Sequence, residues 1–200
     1  MPLSEAQREN MKKKRTLILD VATELFATLG YEGTTIKKVS ESAEISFGSV
    51  FTYFKDKEAL FYAVAVEPIE AFKNDVLSFN AESEEPLSEL KTMIDRHLTI
   101  YANLQNYLMI VVQIIGQHNK YPEAFAELDA FHDQFREKVK RLVENGQNKQ
   151  VLIDQDTMTV ATMYTSLLTG IRINSVDSRY SAFWESFNKT TMQLFGPINQ

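Results

Sequence analysis

The residues whose types and spacing suit a chemical task in this chain are hydroxyls and a glycine, not acids and bases. Ser46, Gly48, Ser49, Thr52 and Tyr53 crowd together, with Phe47 among them, Thr34, Thr35 and Lys38 ahead, and Lys55 and Lys57 behind. Small or hydroxyl-bearing side chains let a backbone come close to a partner and hydrogen-bond a base edge or a phosphate. Enzyme chemistry finds little support. Asp129-Ala-Phe-His132 has the acid-x-x-His spacing of di-iron bundles, but those need a second such motif and two further carboxylates. His97, His118 and His132 are therefore expected to be surface or internally satisfied histidines, with no metal site. No G-x-S-x-G elbow and no G-x-x-x-x-G-K-[ST] loop occurs. With no cysteine, thiol chemistry is excluded as well. No catalytic residue and no cofactor is expected.

The elements that must hold these residues can be read from the apolar spacing. Thr34 and Thr35 are N-cap types ahead of Ile36, Val39 and Ala43, which mark a short helix. The run stops at Glu44-Ile45, and Ser46 caps a second helix in which Val50 and Phe54 lie four apart and share the buried face. Gly48, Ser49, Thr52 and Tyr53 then fall mostly on the other side. Asp56 caps a third helix beginning at Lys57, whose free N–H groups and ammonium suit a phosphate. Upstream, Leu17, Val21, Leu25 and Leu29 repeat every four residues, with Ile18, Ala22 and Phe26 alongside, along a helix expected over about 9–29, which Gly30 ends. Residues 1 to about 10 are polar and expected to be mobile.

Leu25-Phe26, Gly30-Tyr31, Thr34-Thr35-Ile36, Val39, Ala43, Ile45-Ser46, Gly48-Ser49-Val50, Tyr53-Phe54 and Lys57-Glu58 with Leu60 resemble the DNA-binding domain of the tetracycline-repressor (TetR) family. The resemblance covers roughly residues 12 to 62. Two positions depart from it: Glu44, where the family often has glycine, and Phe51, where tyrosine is common. It implies an all-α chain: an N-terminal three-helix helix-turn-helix domain over 1–66, with the motif at about 34–54, and a helical ligand-binding and dimerisation domain over 67–200. It further implies a homodimer that reads a palindromic double-stranded DNA operator, most simply as a repressor released by a small lipophilic effector; with no membrane-spanning run or signal-peptide core in the sequence, a cytoplasmic protein is expected. Thr35, Tyr53 and Lys57 would hold phosphates, with Lys38 and Lys55 as weaker contacts. Ser46, Phe47, Gly48, Ser49 and Thr52 would approach base edges.

Composition is compatible with this. The net charge of −6 lies outside the motif: residues 1–60 carry nine basic and nine acidic side chains, and residues 61–200 carry 12 and 18. The basic groups cluster at Lys12, Lys13, Lys14, Arg15, Lys37, Lys38, Lys55 and Lys57, and local clustering governs attraction to phosphates. No apolar run approaches the ~20 residues that span a bilayer.

Beyond Lys57 the pattern stays helical. Pro68 is expected to kink or divide the helix begun at Lys57. Helices follow at about 87–102, 105–118, 121–145, 155–174 and 178–195. Met93, His97, Tyr101, Tyr107, Met109, Gln113, Phe125, Phe131 and Met163 mix Met, aromatic and amide side chains, which suits either an apolar ligand cavity or ordinary core. The lack of Arg or Lys among them points to a neutral or cationic ligand. Val160, Tyr164, Leu167, Ile171, Phe183, Trp184 and Phe187 make the last two helices apolar over a wide arc; in the TetR family such helices form the dimer interface, the bland alternative being the protomer's own core. The competing functional class is a helical-bundle enzyme or small-molecule carrier with an incidental helix-turn-helix.

Overall fold

The computed structural model describes residues 4–174 and 181–198, with residues 181–186 described by backbone path alone. The described residues form helices α1 (Glu5–Gly33), α2 (Ile36–Ser42), α3 (Phe47–Val50), α4 (Lys57–Val76), α5 (Pro86–Ala102), α6 (Gln105–Gly116), α7 (Pro122–Asn148), α8 (Thr157–Asn174) and α9 (Ser181–Leu194). One isolated bridge pairs Leu152 with Pro197. The chain divides into two compact units, 1–68 with 109–125, and 69–108 with 126–200. No single helix among the described residues is long and apolar enough to cross a membrane.

In the first unit, α1 starts earlier than the apolar repeat suggests. Ser4 accepts from the Gln7 N–H while Gln7 returns a bond to the Ser4 N–H, a reciprocal cap that extends the helix to Glu5. Of the two apolar rows expected along this helix, the second forms the buried face. Ile18, Ala22 and Phe26 are fully buried, whereas Leu17 and Leu29 are 42% and 46% exposed. Gly30 breaks the helix at φ 70°, where a side chain is strained.

The core of this unit adds Ile36, Val39, Ala43, Val50, Phe54, Leu60, Phe61 and Val64. Phe61 is its hub: its ring lies 4.9 Å from that of Phe26, 5.1 Å from Tyr31 and 4.8 Å from Tyr121. Tyr121 belongs to the 109–125 segment, which a second contact ties down: the Gln113 side-chain amide donates to the Phe26 carbonyl at 3.0 Å. Arg15, counted among the basic cluster, makes a two-pronged ion pair with Glu67 and lies over the Phe54 ring. Its guanidinium joins α1 to α4 and has less to offer a phosphate.

Between α2 and α3 the chain turns through Glu44 at φ 54°. An L-residue there carries strain of about 1–2 kcal/mol, partly offset because glycine would lose more chain entropy on folding. Glu44→Gly should therefore stabilise the protein by about 0.5–1 kcal/mol in urea or thermal unfolding; an unchanged or lowered midpoint would show that the side chain compensates.

Pro68 does not divide α4, which runs unbroken from Lys57 to Val76; the boundary between the two units falls immediately after Pro68. In the second unit, α5 packs on α8 and α9. Its polar centre is His97, buried in α5 between two partners. Nδ1 lies 2.8 Å from the Tyr164 hydroxyl and Nε2 2.8 Å from the Val76 carbonyl. A carbonyl can only accept, so Nε2 carries the proton and Nδ1 accepts from Tyr164. The rings of Phe79 and Phe135 stand edge-on to the imidazole.

Candidate nucleic-acid interface

The helix-turn-helix is assembled by its hydroxyls. Thr35 is the N-cap of α2 and accepts from the Lys38 N–H at 3.2 Å. Ser46 does the same for α3 from the Ser49 N–H at 3.2 Å, and its Oγ also lies 2.7 Å from Ser49 Oγ. If Ser49 donates in that pair, the Ser46 O–H remains to give and the Ser49 oxygen to accept, so the two serines offer a donor and an acceptor side by side. Asp56 caps α4 through the Ala59 N–H at 2.8 Å. Val50 and Phe54, 0% and 4% exposed, fasten the reading helix to the core. That leaves Ser46, Phe47, Gly48, Phe51 and Thr52 exposed on one surface, with Ser49 and Tyr53 half-buried at its margin. A Cβ added at Gly48 would meet nothing within 4 Å, so this position faces open space.

One expected contact, Thr34, is corrected by its burial, and a second, Lys57, is engaged within the head. Thr34 is fully buried, and its hydroxyl donates to the Gly30 carbonyl at 2.8 Å, closing the break after α1. It has no surface to give DNA. The Lys57 ammonium donates to the Tyr31 and Thr34 carbonyls at 2.9 and 3.2 Å and stands 3.9 Å from the centre of the Tyr31 ring. A cation there satisfies carbonyls left over where α1 ends, so Lys57 braces the head. Lys38 is exposed while its Nζ donates to the Gly33 carbonyl at 2.7 Å; that single bond leaves two donors on the ammonium. Lys55 is exposed. Phe51, absent from the expected base-contact set, is exposed beside Phe47; its spacing of four from Phe47 was the available signal.

The candidate ligand residues are divided between the two units. Met93, His97, Tyr101 and Tyr107 are buried in the second unit. There, Phe72 stands edge-on to both Tyr107 and Phe131, with ring centres 5.5 and 5.6 Å away. Burial raises the pKa of Tyr101 and of Tyr107 above the ordinary phenol value, keeping both phenols neutral. Met109, Gln113 and Phe125 instead belong to the first unit, and Met109 is 36% exposed. Met163 is 54% exposed and lines no interior. Arg172, half-buried in the second unit, donates to the Gln105 side chain at 2.6 Å, a cation that the neutral-ligand expectation overlooked.

Of the residues expected at a dimer surface, Val160, Tyr164 and Ile171 are buried within the protomer, Tyr164 by its bond to His97. Leu167 and Phe187 are half-buried, and the side chains of Phe183 and Trp184 lie outside those described. Sequence periodicity cannot tell a residue buried by its own fold from one buried by a copy. His132 is satisfied, with Nε2 3.0 Å from the Thr165 hydroxyl.

A capped two-helix motif on a three-helix core, with a small-residue and hydroxyl face left bare, defines a helix-turn-helix DNA-binding protein. Residues 18–64 match the family model of bacterial regulatory proteins, tetR family. Over 68 residues the chain is 34% identical to the HTH-type transcriptional repressor Rv1474c of Mycobacterium tuberculosis, a match spanning 34% of this chain and 36% of that protein. It is 25% identical over 185 residues to the HTH-type transcriptional regulator UidR of Escherichia coli, covering 92% of both. A solved structure of AibR in complex with isovaleryl coenzyme A and operator DNA shares the fold at TM-score 0.76 and 17% identity, over 92% of this chain and all of that one. Residues 18–64 are thus a tetR-family DNA-binding domain, and the relative matched along 92% of the chain is a transcriptional regulator.

Proposed function

We propose that this protein is a cytoplasmic, homodimeric repressor that binds a palindromic operator and is released by a small lipophilic ligand. The observation that carries the DNA reading is the bare face of α3, held rigid by Val50 and Phe54 and open at Gly48. Two copies of α3 enter successive major grooves roughly 34–36 Å apart. Thr35, Lys38, Tyr53 and Lys55 hold phosphates, and Ser46, Phe47, Gly48, Ser49 and Thr52 meet base edges. That set holds no Arg, Asn or Gln, so the bidentate readers of guanine and adenine are missing. Readout then leans on hydroxyls, thymine methyls and DNA shape, and A·T pairs dominate each half-site.

DNA binding is the task of residues 1–66, and ligand binding and dimerisation the task of 67–200. The dimer forms on the exposed and half-buried side of α8 around Leu167, with α9 and its Phe187. A ligand in the helical unit, near Phe72, Tyr107 and Phe131, favours a head spacing that misses the operator; it acts only by binding that state more tightly. The solved complex of AibR with an acyl thioester and operator DNA supports a regulator of this fold that meets both partners.

The test is selection of bound duplexes from a random pool, followed by affinity against salt. A two-fold palindrome whose affinity falls steeply with salt is expected. A folded protein that enriches no sequence at any salt concentration overturns the reading. With the operator in hand, Tyr53→Phe should weaken binding to all sequences alike, by roughly tenfold, because a phosphate contact carries no base information. Ser49→Ala should change the preferred bases instead. The reverse pattern would mean that α3 lies in the groove the other way round.

A further inference from the structure

Phe47 and Phe51 are the largest apolar side chains on the reading face, and both stand in water, 54% and 44% exposed. They lie four apart, where a helical path stacks one side chain above the other, and their ring centres are 5.2 Å apart at 69°. This edge-to-face pairing lets each ring restrict the other, so the pair presents one fixed apolar surface. An exposed phenylalanine forgoes the stabilisation that burial would give, and two together, at the start of a short helix and at its C-cap, mark a surface awaiting a partner. The surroundings say which. Exposed Lys37, Lys38 and Lys55 flank the motif, and Ser46, Ser49 and Thr52 share its face, which suits a polyanion bearing hydrogen-bonding edges. In the major groove of DNA, the apolar group available to such a surface is the C5-methyl of thymine.

We propose that Phe47 and Phe51 form a methyl reader: their rings contact pyrimidine C5-methyl groups in each half-site and recognise the methyl itself. The inference rests on the DNA-binding reading above and gives its specificity a chemical source. A phenyl ring has no hydrogen-bonding atom, so it distinguishes thymine from uracil but not thymine's methyl from that of 5-methylcytosine. The protein therefore senses cytosine methylation wherever a C·G pair occupies a contacted position.

The experiment uses the full chain and the operator obtained by selection. Each half-site thymine is replaced in turn by uracil, then by cytosine and by 5-methylcytosine, both with guanine opposite. At one or two positions, thymine should be favoured over uracil about fourfold, and 5-methylcytosine over cytosine by a similar factor, as expected for burying one methyl-sized group at ~0.8 kcal/mol. Phe47→Ala and Phe51→Ala should each erase the methyl preference at one position. They should keep the salt dependence and the thermal midpoint, since neither ring is part of the core. Phe47→Leu should keep part of the preference. Uracil tolerated everywhere, 5-methylcytosine no better than cytosine where uracil is penalised, or a methyl preference that survives both alanine variants would each overturn the proposal while leaving DNA binding intact. Failure to enrich any duplex overturns the DNA-binding reading beneath it.

Discussion

Gly48→Glu should abolish operator binding while leaving the protein folded. Gly48 is the second residue of α3 and has no positive φ, so glycine is not required there by the backbone. A Cβ meets nothing within 4 Å, so a glutamate enters open space and displaces no core atom. An acidic residue near a helix start is also tolerated by the helix dipole. Stability should therefore change by less than about 0.5 kcal/mol, the usual range for a surface substitution. Binding is a different matter. On DNA the new carboxylate meets the groove between two phosphate backbones, and like charges brought together in an interface cost several kcal/mol. The expected loss is at least about a hundredfold, measured by titration of labelled operator beside a thermal melt. Gly48→Ala adds bulk without charge and separates the two causes: a smaller loss measures how closely the backbone approaches the bases. Wild-type affinity in the glutamate variant would mean that this face of α3 never enters a groove.

The second large effect lies in the other unit. His97→Ala should destabilise the protein by about 4 kcal/mol, since it opens a hole among Phe79, Phe135 and Tyr164 and leaves the Val76 carbonyl and Tyr164 hydroxyl unpaired. Acid should act through the same residue. Burial lowers the His97 pKa from 6.5 to about 4, against which the bond to the Val76 carbonyl is a smaller, opposing influence. The unfolded chain takes up a proton below about pH 6.5, whereas folded His97 resists until about pH 4. Its contribution is thus complete above pH 6.5 and is lost as pH falls to 4, amounting to about 3 kcal/mol over that window. Denaturant unfolding across pH 4–7 reads this directly. His97→Gln keeps a hydrogen-bonding side chain without a titrating ring, so its stability should decline less over the same range. An equal acid slope in both proteins would assign it to carboxylates.

These two sites differ in how far the sequence revealed them. The helix-turn-helix was legible because capping and burial are local there. Thr35, Ser46 and Asp56 each bond an N–H three residues on, and Val50 with Phe54 follow from spacing alone. Glu44 in the turn, where the family often has glycine, was visible as a departure for the same reason. Helices α5 to α8 fall close to their expected bounds because amphipathic spacing and short polar breaks are also local signals.

What only the tertiary structure decided involves partners far apart in the chain. Lys57 turns to carbonyls at positions 31 and 34, Gln113 to the Phe26 carbonyl, and His97 to Val76 and Tyr164. No periodicity encodes such pairs, because each depends on where a second element brings an unsatisfied donor or acceptor. The same reason placed Met109, Gln113 and Phe125 in the first unit, and Met93, His97, Tyr101 and Tyr107 in the second. Residue type and spacing determined that this chain carries a DNA-reading motif on helices. Long-range packing determined which of its polar side chains are spent on holding that motif together and which remain to meet DNA.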